Sequence, residues 1–264
     1  MRASLRHYLS VYFEFARTSI STALSFRISF TLLMMMDILF YGVSLSTVDF
    51  IYDHVGNIGP WNREQLMFFI SYIVCVDHLH MGLVSESFWR FSDDIKTGNL
   101  DFILLKPTHS LFNIFFRYIR PSTILLIPIA WGQLYYFGVQ AKLEGNDWIL
   151  IPPLLILSFI LLVIMEIIIT TSTFWLKEGM AINFIRMQLQ GLSRWPHFIF
   201  LGKTRKIMTF IIPISLIGSA PIHLIFERSA YEMMLYLVLM IFVLFLLLLK
   251  LWERGLRHYD SASS

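Results

Sequence analysis

The chain has 264 residues, of which 56% are hydrophobic and only 15% charged, with a mean hydropathy of +0.65 and a formal net charge of +3 at pH 7. An ordinary soluble domain carries about 25% charged residues, so charge is too scarce here to cover a water-facing surface. The single cysteine, Cys75, excludes a disulfide framework and a thiolate zinc site.

Residues 1–24 read as an amphipathic helix lying in the headgroup plane. Leu5, Leu9, Tyr12, Phe13, Ala16 and Ile20 recur at helical spacing, with Arg6, Ser10, Glu14, Arg17 and Ser21 on another face. No compact apolar core leads into small residues, so no cleavable signal peptide is expected. A span needs about 20 mainly apolar residues, because the hydrocarbon core is roughly 30 Å thick and a helix rises about 1.5 Å per residue. Residues 25–50, 64–88, 119–141, 149–176 and 231–252 meet that need. The short alternating segments of a barrel are missing.

Cytoplasmic loops carry an excess of Lys and Arg close to the spans. Arg2, Arg6, Arg17 and Arg27 mark the start of the chain; Arg90, Lys96, Lys106 and Arg117 mark the long loop 89–118, with Arg120 just beyond; Lys250, Arg254 and Arg257 mark the tail. Residues 49–62 and 143–149 contain neither Lys nor Arg. Both termini and loop 89–118 are therefore expected on the cytoplasmic side. The number of crossings is then even, and six fits best.

Residues 177–227 thread in two ways. The stretch 180–201 is long enough to cross but carries Asn183, Arg186, Gln188, Gln190 and Arg194, while 207–226 is more apolar yet broken by Pro213, Gly218 and Pro221. Either the first is a cytoplasmic loop and the second the fifth span, as Lys203, Arg205 and Lys206 favour by charge, or the first is a protein-buried fifth span and 203–227 a re-entrant region. Broken backbone is tolerated at membrane depth only where protein or water shields it.

Few residues suggest chemistry. Gly202-Lys203-Thr204 resembles the end of a phosphate loop, but the glycine that motif needs five residues earlier is His197, so no nucleotide site is expected in this chain. Asp77, His78 and His80 lie in one apolar run; the two histidines point to different helix faces, which favours polar contacts in a bundle over a metal site. Asp37 and Glu166 would cost roughly 2.5–3.5 kcal/mol each if centred facing lipid. They are expected to face protein or a cavity and, with Arg186, are the candidates for a transport path; Arg27 and Arg186 are candidate counter-ions. No Ser–His–Asp, His-Glu-x-x-His or paired-carboxylate pattern points to an enzyme. Trp61, Trp148, Trp175 and Trp252 lie near span ends and fit aromatic belts. In the cytoplasmic loop, Ser92 is expected to cap a short polar helix with Asp93 and Asp94 in its first turn, Gly98 to end it in a left-handed conformation, and Lys106-Pro107 to turn the chain into the next helix.

Gly98-Asn99-Leu100-Asp101, running to Leu104-Leu105-Lys106-Pro107 and Leu111-Phe112, resembles the G-x-L-D-x-x-L-L-K-P…L-F signature of ABC-2-type exporter permeases. Phe26-Arg27 resembles that family's aromatic-Arg pair at the first span, and Ile58-Gly59-Pro60-Trp61 its Gly-Trp before the second, with Pro60 inserted. Trp252 through Gly255-Leu256-Arg257-His258-Tyr259 and Ser261-Ala262-Ser263 resembles its C-terminal ending. The resemblance implies an all-α polytopic membrane protein: an N-terminal elbow helix, six spans, and a re-entrant helix pair between the fifth and sixth. It also implies a permease subunit of an ATP-driven exporter in a bacterial cytoplasmic membrane. Such a subunit pairs with a second permease copy or a sister permease and sits in membrane lipid. It has no nucleic-acid partner and no cofactor of its own, ATP and Mg residing on separate soluble ATPase subunits. The coupling residues it implies are Asp93, Asp94, Lys96, Gly98, Leu100, Asp101, Lys106 and Pro107. The rival expectation is an ATP-independent channel or intramembrane enzyme.

Overall fold

The computed structural model describes residues 5–54, 59–176, 178–227 and 231–259. Arg2, Ile58 and the Ser261-Ala262-Ser263 ending lie outside them. Every regular element among the described residues is helical. The chain is an all-α, multi-pass membrane protein with helices long and apolar enough to cross a bilayer at Arg27–His54, Arg63–Leu83, Pro121–Gln140, Gly145–Leu176 and Tyr231–His258.

Helix α1 (Leu5–Ser25) splits its apolar residues between two directions. Leu5, Leu9, Phe13, Ile20 and Leu24 are exposed, as a helix bedded in a membrane surface requires. Tyr8 and Ser19 turn inward instead, and each accepts a backbone N–H: from His109 at 3.1 Å and from Ile119 at 3.3 Å. The elbow is thereby tied to the loop between the second and third spans.

Next come α2 (Arg27–His54) and α3 (Arg63–Leu83), joined at their far ends by Arg63 Nε donating to Asp49 at 3.0 Å. A reciprocal cap starts α3: Gln65 N–H donates to Asn62 Oδ1 at 2.8 Å and Asn62 N–H to Gln65 Oε1 at 3.0 Å. Helix α3 stands at the centre, and its polar residues Ser71, Asp77, His78 and His80 are buried along with its apolar ones. Its apolar stretch is 83% buried, against 11% for α2 and 22% for the last helix. Around it pack α2, α8 (Ile127–Gln140), α9 (Gly145–Thr171) and α13 (Leu216–Phe226); α9 and α13 in turn carry α14 (Tyr231–His258). Tyr72, at the middle of α3, hydrogen-bonds Ser158 of α9 at 2.9 Å, and Ser158 donates to the Ile217 carbonyl of α13 at 2.6 Å. These hydroxyls join the three central helices inside the core.

Between Val84 and Leu126 the chain makes short helices: α4 (Ser85–Lys96), α5 (Asn99–Leu104), α6 (Ser110–Phe115) and α7 (Pro121–Ile124). After α9, a one-turn α10 (Thr173–Leu176) precedes α11 (Gly179–Leu192). Helix α11 has 14 residues, about 21 Å of rise, less than the roughly 30 Å hydrocarbon core. The chain continues beyond it irregularly and brings the Phe198 ring to 4.9 Å from Trp61. There follow α12 (Gly202–Lys206), a π turn over Ile207–Ile211 and, past Pro213, α13; the helical pair on either side of the break is bent by 74°. The inner end of α13 reaches Ser158, level with the middle of α3. Its outer end packs Phe226 on Phe68 and Trp61.

Two local expectations fail. Ser92 caps nothing: α4 begins at Ser85, so Ser92 lies inside the helix, where its side chain presses on the Cα of Gly179, and a Cβ there would fall 1.7 Å from Ser92 Oγ. Two small residues, Ser92 and Gly179, thus let α4 and α11 approach closely. Trp61 and Trp252 do not form a belt either. Both are 3% exposed and packed among aromatic rings, whereas Trp175 remains open.

Candidate functional site

Two regions concentrate unusual residues. The first is the platform at the end of the bundle where α3 stops. Gly98 has φ +74°, a left-handed conformation that favours glycine, and it separates α4 from α5. Leu100 and Ile103 point inward and are buried, joining Phe88, Phe91, Phe115, Phe174 and Trp252 in one aromatic cluster. The C-terminal signature closes that cluster. Trp252 Nε1 donates to Ser110 Oγ at 2.9 Å, and Gly255 lies so close to Phe174 that a Cβ would come within 2.3 Å of the ring. The Tyr259 phenol sits by Asp101; burial, then the Asp101 carboxylate, raises its pKa. The motifs at 98–112 and 252–259, far apart in sequence, thus form one structural unit.

The expected coupling residues separate into distinct environments. Asp93, Lys96 and Pro107 are exposed, Asp101 and Lys106 half-buried, and Gly98, Leu100 and Asp94 buried. Burial pushes the Asp94 carboxyl above its usual range, with Arg117 and the Asn99 side chain opposing. Two residues escaped the sequence reading: Phe102 and Leu105 are 72% and 81% exposed. The signal was present, since Leu100 and Ile103 alternate with them at helical spacing on the opposite face of α5.

The second region is a polar network inside the bundle. Arg186 Nη1 donates to Glu166 at 3.1 Å and its Nε to Asn183 Oδ1 at 3.2 Å, with the guanidinium 4.6 Å from the Phe88 ring centre. Gln190 donates to Asp77 at 2.9 Å and lies 3.4 Å from His80 Nδ1; His80 Nε2 bonds the Glu166 carboxylate, and Arg194 Nε donates to Asp77 at 3.1 Å. The short helix α11 is therefore bound to α3 and α9 through charge and hydrogen bonds where an apolar helix would use packing alone.

Asp37 belongs to a separate cluster, accepting from Arg120 at 3.2 Å and from Thr123 Oγ1 at 2.8 Å, while Tyr41 hydrogen-bonds His78 nearby. Each of the carboxylates Asp37, Asp77 and Glu166 is matched by one arginine. Arg27 is exposed and takes no part. No group of three or more metal-ligating side chains occurs among the described residues. One cavity of about 240 Å³ between α2, α3 and the end of α11 is lined by Asp77 and Arg194. Asp37, Glu166 and Arg186 line neither it nor the larger cavity under α1.

Comparison with known families matches residues 38–263 to the model described as ABC-2 family transporter protein. No curated protein and no solved structure matches the chain.

Proposed function

The chain belongs to the ABC-2 transporter family and is a permease component of an ABC transporter; from that premise we propose that it forms half of an ATP-driven exporter and couples to separate ATPases through the α4–α6 platform. The observation that carries the coupling is the outward pair Phe102 and Leu105. Leaving a large apolar side chain in water forfeits about 1.5–3 kcal/mol relative to burying it. The pair stands beside Leu100 and Ile103, which are packed away, and beside the exposed charges Asp93 and Lys96. An apolar centre with a polar rim is the composition of a protein interface. ATP and Mg reside on the partner.

In this reading both termini and the platform face the cytoplasm of a bacterial inner membrane. The crossings are α2, α3, α7–α8, α9–α10, α11 with the stretch that follows it, and α14; residues 202–226 form a re-entrant pair on the outer side. The apolar face that α2 leaves uncovered, with Leu32, Met36, Leu39 and Val43, meets a second permease. ATP-driven closure moves the platform, and α11 transmits that motion to α3 and α9 through the Glu166–Arg186 and Asp77–Arg194 pairs. Transport follows only if the two conformations differ in their affinity for cargo or nucleotide.

The test is capture of the cognate ATPase by the purified full chain, comparing wild type with a Phe102→Ser/Leu105→Ser variant. Docking should fall by about tenfold or more, the loss of roughly 1.4 kcal/mol or more from a central apolar contact. Wild-type docking in a folded variant would remove the platform from the mechanism.

A further inference from the structure

A cavity of about 910 Å³ opens beneath α1, bounded by the base of α2 and the chain around Tyr118–Ser122. One wall is mainly apolar, built by Phe15, Phe26, Phe30 and Leu33, with Ser19 and Ser29 beside them and the Thr18 and Thr22 hydroxyls turned onto carbonyls of their own helix. The opposite wall carries Arg90, Lys106, Arg117 and Arg120, with Glu86 on that side and Glu14 on α1. The charges do not cancel. Arg90 is paired with Glu86 at 3.1 Å, Arg120 with Asp37 at 3.2 Å, and Glu14 lies 4.0 Å from Arg17. Lys106 and Arg117 have no carboxylate within ion-pair distance among the described residues. Asp94 acts on both from farther away, and its own charged form is disfavoured by burial. Burial and then the neighbouring Arg117 lower the Lys106 pKa, so the two cations are close and incompletely solvated.

A second cavity of about 320 Å³, reaching toward Phe102 and Asn99, shares Lys106, Arg117 and Tyr118 with the first. The unpaired cations therefore stand where the membrane-side cavity meets the platform. Clustered basic side chains beside membrane helices suit anionic headgroups, and a mainly apolar wall of this extent suits acyl chains. A small inorganic anion would satisfy the cations but leave that wall wet.

We propose that the cavity under α1 binds an anionic amphiphile, with its headgroup phosphate held by Lys106 and Arg117 and its acyl chains laid against Phe26, Phe30 and Leu33. Because α1 lies in the membrane surface, the ligand enters laterally from the leaflet on the platform side. The orientation proposed above makes that the cytoplasmic leaflet; the site itself does not depend on ATPase docking. Occupancy ties the elbow helix to the platform through the two cations the cavities share.

The experiment is native mass spectrometry of the delipidated full chain in neutral detergent, titrated separately with dioctanoyl phosphatidylglycerol, dioctanoyl phosphatidylcholine and inorganic phosphate. Phosphatidylglycerol should bind saturably and about tenfold or more tighter than phosphatidylcholine, and equimolar phosphate should not displace it. Lys106→Gln/Arg117→Gln should remove that preference, and Ala23→Trp, which fills the apolar part, should weaken both lipids. Equal binding of the two lipids by wild type, or an unchanged preference in the folded double variant, overturns the proposal. Displacement by equimolar phosphate overturns the amphiphile assignment in favour of a plain anion site. Should the double variant not fold, the wild-type comparison and Ala23→Trp decide the matter. No readout uses the ATPase, so failure here is distinct from failure of the coupling platform.

Discussion

The Glu166–Arg186 pair makes a quantitative claim that a double-mutant cycle can reach. The two side chains are 2% and 1% exposed, and Arg186 also bonds Asn183 and stacks on Phe88. Removing one partner leaves the other charged and buried, a cost of about 3–5 kcal/mol; replacing both with uncharged groups of similar volume is often close to neutral. Glu166→Gln keeps a hydrogen-bonding partner for His80 but strands the guanidinium, so it should cost about 3 kcal/mol. Arg186→Met strands the carboxylate, loses the stacking, worth about 0.5–2 kcal/mol, and orphans Asn183 Oδ1, worth about 1–3 kcal/mol. The double variant should be less destabilised than Arg186→Met alone, with a coupling energy of at least about 2 kcal/mol. The assay is reversible unfolding of the purified protein in mixed micelles, with transport measured in parallel in vesicles. Strictly additive losses, or singles within about 0.5 kcal/mol of wild type, would refute the reasoning. A stable double variant that still transports identifies the pair as a lock on α11 and removes it from the relay; a stable one that has lost transport gives the pair a part in transport beyond holding the fold.

Two further outcomes are expected. Gly98→Val forces a β-branched residue to φ +74°, at a cost of about 1–3 kcal/mol; with Asp101→Ala, which removes the carboxylate beside Tyr259, it should insert normally but lose ATPase docking, whereas a change at Asp53 should not, all read by ATPase capture after checking abundance in the membrane. In a Cys75→Ser background, Thr97→Cys should resist an impermeant thiol reagent in intact cells whose outer membrane is permeabilised, and Asp53→Cys should react; labelling at position 97 would invert the orientation.

Composition made the long helices legible. α2, α9 and α14 are apolar over more than the membrane thickness, and no other solvent would accept them. The positive φ at Gly98 was legible as well, because a glycine following a short polar helix is the residue that ends helices in the left-handed conformation. Partner assignment was not legible. Arg27 looked as good a counter-ion as any, but Asp37 binds Arg120, because the backbone N–H of Arg120 folds back onto the Gly82 carbonyl at 2.9 Å and brings that side chain beside α2. The polar content of α11 argued against membrane burial when read alone. It becomes intelligible only beside Asp77, His80 and Glu166, which lie on two other helices. Ser92 misled because a serine before two aspartates has the composition of a cap, and only the close approach of Gly179 reveals that the helix passes through it.

The platform is also a product of synthesis order. Its rim is stitched on one side by α1, through Tyr8 and Ser19, and on the other by Trp252, which hydrogen-bonds a serine 142 positions earlier. Chains emerge from the ribosome from the N-terminus onward, so the region that would receive an ATPase cannot take its final shape until α14 has been made and inserted. A truncated or stalled chain lacks the tryptophan that closes the aromatic cluster. An ATPase reading the finished surface would then engage only completed permeases, and assembly would double as inspection.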